Sequence, residues 1–117
     1  MSQEQTLHSV GSTILFEDDT VRVWDATVEP GETLPIHQHD LDYVTVALTR
    51  SDVEVHEADG TVRRGHRVPG DVQVTRVGSG QRHMLKNIGT ATHRNRIIEL
   101  KSPPGPGGEP VNINLSR

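Results

Sequence analysis

Residues 53–64 read VEVHEADGTVRR. Val53 and Val55 alternate with Glu54 and His56, Asp59-Gly60 supplies a tight turn, and TVRR resumes the alternation. That pattern is a β-hairpin. The same period of two extends outward in both directions. Upstream, residues 12–16 (STILF) and 20–28 (TVRVWDATV) form two strands joined by the acidic turn Glu17-Asp18-Asp19, and Pro30-Gly31 ends the second. Residues 34–48 begin irregularly at Pro35 and become strand-like from Tyr43. Downstream, Pro69-Gly70 precedes DVQVTRV (71–77), and Gly78-Ser79-Gly80 breaks the chain again. Residues 81–88 (QRHMLKNI) and 93–101 (HRNRIIELK) then form a last pair around Gly89-Thr90. VNINL at 111–115 is expected as a final strand beyond the Pro/Gly-rich segment 102–110. No window carries a 3.6-residue apolar stripe with caps. Short strands with regularly spaced turns predict an all-β sandwich or barrel in a single domain, 1–117, with its core over about 12–101.

Composition agrees. The chain of 117 residues has room for one core. Leu, Ile, Val and Phe make up about a quarter of it, above the roughly 20% below which disorder is the better reading. Phe16, Trp24 and Tyr43 are its only aromatics, so the core must come from Val and Ile, which suit half-buried strands. A net charge of −4 excludes the basic field that nucleic-acid binding needs. No apolar run approaches the roughly 20 residues of a membrane span. The opening MSQEQTLHSV has neither a basic nor an apolar leader region, so a cytoplasmic location is expected. The absence of cysteine removes disulfides, thiolate zinc sites, iron–sulfur clusters and thiol nucleophiles. Any metal must be held by imidazole, carboxylate or water, and seven histidines are available.

The stretch Gly31-Glu-Thr-Leu-Pro-Ile-His37-Gln-His39 puts two imidazoles at i and i+2, on one face of an extended chain. Such a pair serves as two facial metal ligands once a third arrives from elsewhere. A second stretch, Gly80-Gln-Arg-His83-Met-Leu-Lys-Asn87, has the histidine to do so. With both stretches in view, the sequence resembles the cupin superfamily. Its first motif is a glycine, five residues and His-x-His, as Gly31, His37 and His39 supply. Its second is matched by Gly70, Gly80, His83 and Asn87, with Gly78 where proline is usual and two extra residues after Gly70. The resemblance covers residues about 20–100 and implies a single-domain cupin β-barrel, a double-stranded β-helix or jelly roll. The string from His37 to Tyr43 also resembles, more loosely, a small-cupin subgroup named for beta-alanine degradation.

The departure from the pattern is at Tyr43, where the family usually has glutamate. Residues 37, 39, 41 and 43 share one face of a regular strand, which points the neighbouring Asp42 away from the metal. A bulge would be needed to bring Asp42 or Asp40 in. The expected site is therefore His37, His39 and His83, with Tyr43 beside it as a catalytic candidate that donates a hydrogen bond or proton, or else as a space-filling ring. The resemblance implies one divalent transition metal: Fe2+ first, with Zn2+, Mn2+, Ni2+ and Cu2+ all compatible with imidazole. It also implies a dioxygenase-like enzyme acting on a small polar or anionic metabolite. A non-catalytic binding module and a sugar isomerase or epimerase are the alternatives, the latter weakened by the scarcity of aromatics. Asn87 is expected to support structure or to orient a ligand from behind. Arg76 and Arg82 read first as solvated charges, and His8, His56, His66 and His93 lack ligand spacing. Gly78-Ser79-Gly80 is no phosphate loop, and Glu17-Asp18-Asp19 no calcium loop. A chain this small gains from burying a sheet face or edge against a copy of itself, so a homodimer is expected, with 1–15 and 111–117 as candidate exchange strands.

Overall fold

Nine strands account for nearly all regular structure in the computed structural model, which describes residues 6–101. They are β1 (Thr13–Glu17), β2 (Val21–Val28), β3 (Thr33–His39), β4 (Tyr43–Ala47), β5 (Ser51–Glu57), β6 (Val62–Arg67), β7 (Val72–Thr75), β8 (Gln81–Asn87) and β9 (His93–Leu100). One sheet has the order β1-β2-β9-β4-β7 and the other β3-β8-β5-β6. Every neighbour within a sheet is antiparallel. Most consecutive strands lie in different sheets, so the chain winds back and forth between two layers and closes a barrel-like sandwich.

The alternation read from the sequence decides what faces inward. Trp24, Ala26 and Val28 of β2 and Ile97 of β9 are buried, as are Val53 and Val55 of β5. Val10, Trp24, Ala26, Tyr43, Val77 and Ile97 form one cluster at the centre of the five-stranded sheet. Buried Glu99 accepts hydrogen bonds from Trp24 Nε1 and Arg22 Nε, both at 2.6 Å, which ties β2 to β9 through side chains as well as backbone. The hairpin over 53–64 forms as read, and Gly60 supplies the left-handed residue of its turn at φ 91°.

Two expectations about connectivity need correction. Residues 34–48 are two strands in different sheets, separated at Asp40–Asp42. Residues 81–88 and 93–101 are also not a pair: β8 joins β3 and β5, whereas β9 joins β2 and β4. Alternation says which residues face inward but not which strand is the neighbour. VNINL at 111–115 and the segment 102–110 lie outside the described residues.

Candidate metal centre

The site is assembled on β3 and β8. His37 stands directly opposite His83 in the ladder, and His39 is one rung along, opposite Gln81. The pairing shifts register between Leu34 and His37, around Pro35. Proline has no N–H to give a ladder, so a bulge there is chemically natural. The bulge leaves the Pro35 carbonyl free to accept a hydrogen bond from His37 Nδ1 at 2.7 Å. A carbonyl only accepts, so Nδ1 carries the proton and Nε2 keeps its lone pair.

The three imidazoles form a propeller. Ring centroids lie 4.7–5.0 Å apart, and the planes meet at 78–82°. One ligand nitrogen from each falls within 4.8 Å of the others. All three histidines are buried, at 1%, 2% and 8% exposure for His37, His39 and His83. Burial lowers each pKa, that of His39 to about 3 and that of His83 to about 4, and the neighbouring imidazoles add to the effect. All three are therefore neutral at pH 7, the form that binds metal. Nδ1 of His39 and of His83 is buried without a hydrogen-bond partner, an anomaly in a packed interior and one expected where a polar ligand belongs. The donor set could hold a metal ion.

Neither nearby aspartate joins the trio. Asp42 accepts from the Val77 backbone N–H and pairs with Arg76, while Asp40 accepts from Gln38. Tyr43 is beside the trio as expected, but by a different route. The chain turns after His39, and Tyr43 approaches from the other sheet. Its ring stacks on His39 at 4.0 Å and 18°, and its hydroxyl donates to Gln81 Oε1 at 2.8 Å.

Asn87 is a structural residue. Its amide donates to the Val28 and Ala91 carbonyls and accepts from the Gly89 N–H, pinning the turn after β8 to the end of β2. Arg82 is held by Gln38, and Arg76 by Asp42. His56 and His66 pair with Glu54 and Asp52. His8 is exposed, on a segment whose backbone bridges to His37. His93 is buried outside the trio and bonded through Nδ1 to Ser51 Oγ at 2.7 Å.

A cavity of about 650 Å³ opens on the trio, within the range of small-molecule sites. Its polar residues Glu57, Arg63, Arg67 and Gln81, with Thr45 and Asn95, escaped the sequence reading. Glu57 lies 3.7 Å from His83 Nδ1 and is held by Arg63. Inward alternation of Glu57 with Val53 and Val55 was the only available signal, since charged residues at such positions carry no spacing motif of their own.

No protein-family model matches the chain. Its fold overlays a cupin domain from Bordetella pertussis with a TM-score of 0.70 and 22% identity, covering 77% of this chain and 91% of that one. This is a cupin fold. A cupin superfamily protein from Desulfitobacterium hafniense overlays with a TM-score of 0.58 and 19% identity, covering 86% of this chain and 84% of that one. A pirin-like protein of Caulobacter vibrioides is a distant homologue, 35% identical over 91 residues. That match covers 77% of this chain and 38% of the relative, so the chain spans well under half of that protein's length.

Proposed function

We propose that this cupin is a metal-dependent enzyme acting on a small anionic metabolite, with one divalent transition ion held by His37, His39 and His83. The observation that carries the reading is the buried propeller of three neutral imidazoles at the foot of an open cavity. Fe2+ is the proposed ion and a dioxygenase-like reaction the proposed class. Three facial nitrogens leave positions at which a bound metal supplies Lewis-acid or redox chemistry. With no carboxylate among the ligands, the site keeps the full charge of the ion, which favours an anionic chelating substrate.

The chain's own residues have distinct proposed roles. Pro35 holds His37 in the ligating tautomer through its carbonyl. Glu57, itself held by Arg63, lies beside His83 Nδ1. Tyr43 and Gln81 form a polar wall beside His39, where the phenol oxygen, its own proton held by Gln81, is placed to accept a hydrogen bond from a bound substrate. A homodimer is the proposed assembly.

The test is elemental analysis of protein purified without a metal-affinity tag. Stoichiometric metal is expected in the wild type, with severe loss in each of His37→Ala, His39→Ala and His83→Ala. His56→Ala and His93→Ala should keep it, and so should Tyr43→Phe. Stoichiometric metal surviving in a His37→Ala/His39→Ala double variant would sink the reading.

A further inference from the structure

The cavity has a second pole. Arg63 and Arg67 both line it from β6, opposite Val55 and Ser51 of β5. Arg63 is neutralised by two hydrogen bonds to Glu57. Arg67 has no hydrogen-bond acceptor or ion-pair partner among the described residues. The acidic residues lining the cavity are Glu57 and Asp59, both at the turn end of the β5–β6 hairpin, away from Arg67. Near Arg67 the polar groups are neutral: Ser51 opposite it in the ladder, and buried His93 bonded to that serine. The charge of Arg67 also helps, after burial, to keep His93 uncharged.

Gly65 makes room for this guanidinium. A Cβ at position 65 would sit 3.1 Å from Cζ and from both terminal nitrogens of Arg67, so the head group lies folded over the glycine. A methyl group there would oblige it to shift by a few tenths of an ångström. The seat has a defined place relative to the trio. Glu57 is level with His83 in the β5–β8 ladder, and Val53, four residues along β5, is level with Gly65. Four residues of strand span roughly 13 Å.

We propose that Arg67, seated on Gly65, is an anion subsite that takes the carboxylate of an extended acid whose other end lies at the histidine trio. The forked, permanently charged guanidinium matches a carboxylate in a way no other group at this end of the cavity does. The subsite rests on the reading of the cavity as a substrate site, and it makes the anionic substrate proposed above a two-ended one.

Azelate, a nine-carbon diacid whose extended chain suits that span, serves as the probe, titrated calorimetrically into metal-free and Zn2+-loaded protein. Wild type is expected to bind it in both states, more tightly with zinc. Arg67→Gln should weaken binding about tenfold or more in each state, as expected for a lost charge-assisted bidentate contact, and Arg67→Lys should recover part of it. Gly65→Ala should weaken binding while leaving zinc content unchanged. Azelate should shift the His93 ring resonances in wild type and not in Arg67→Gln. Equal affinity in wild type and Arg67→Gln overturns the proposal, as does no binding by wild type in either state. If the protein takes no zinc yet binds azelate through Arg67, the metal reading fails and the subsite stands.

Discussion

Asn87 is wholly buried, and both ends of its amide are engaged, through three hydrogen bonds to Val28, Gly89 and Ala91. Asn87→Ala would leave those backbone groups unpaired in the interior, so a loss of roughly 3 kcal/mol is expected in urea unfolding. His93 gives a pH dependence of definite sign. Burial, aided by Arg67, lowers its pKa to about 4, so between about pH 4 and the unfolded value near 6.5 the unfolded chain binds the extra proton. Stability from this residue is complete above about pH 6.5 and declines as pH falls toward 4, by up to about 3 kcal/mol. His93→Gln should make that acid limb shallower in metal-free protein, measured as unfolding midpoint against pH, with the equally buried histidines of the trio supplying the rest. At this scale the trio was legible because His37 and His39 carry a local spacing and His83 a motif. Arg67 and Glu57 were not, because what brings them to the cavity is the pairing of β5 with β6 and β8, which no local pattern encodes.

At the scale of elements, β2 and β9 are clasped by one carboxylate. Glu99 lies directly opposite Arg22 in the ladder and also receives the Trp24 indole N–H. Removing it strands a buried indole donor and an arginine that is only partly exposed. Glu99→Ala is therefore expected to lower the unfolding free energy by roughly 3 kcal/mol. β3 shows where sequence reading stops. Its inward face was clear from His37 and His39, but Pro35 read as irregularity and turned out to be a bulge inside a strand. The break after His39 was hidden for a related reason. Leu41 and Tyr43 continue the alternation through Asp40–Asp42, so the pattern runs unbroken across a point where the chain leaves one sheet for the other.

For the molecule as a whole, the outer face of the five-stranded sheet is the unusual surface. Phe16, Val23, Ile98, Val44 and Val74 form one continuous row, each opposite the next across all five strands. Phe16 and Val74 end that row, and with Val72 on the adjoining rung they are 54%, 58% and 60% exposed. The adjoining row is apolar only at Val46 and Val72 and turns charged at Arg96 and Asp25, so the patch is a stripe one row wide that broadens at the β4–β7 edge. A row of like residues is self-complementary, as a two-fold interface requires, so a second copy of the chain is the expected partner. Sedimentation at tens of micromolar, on the order of usual working concentrations, should show a dimer for the wild type. Val74→Asp should shift it to monomer without loss of metal. Of the exchange strands anticipated at 1–15 and 111–117, residues 1–5 and 111–117 lie outside the described residues, while His8 and Ser12 bond to Ile36 and Asp25 of their own chain.

Tyr43 is the only tyrosine in the chain, and its ring lies flat against one of the three imidazoles. A chromophore held so asymmetrically next to a ligand senses any rotation of that ligand. The near-ultraviolet circular dichroism of the unlabelled protein should therefore act as an optical gauge of loading, its tyrosine band changing in step with added metal, and that change should be lost in Tyr43→Phe while the Trp24 signal remains.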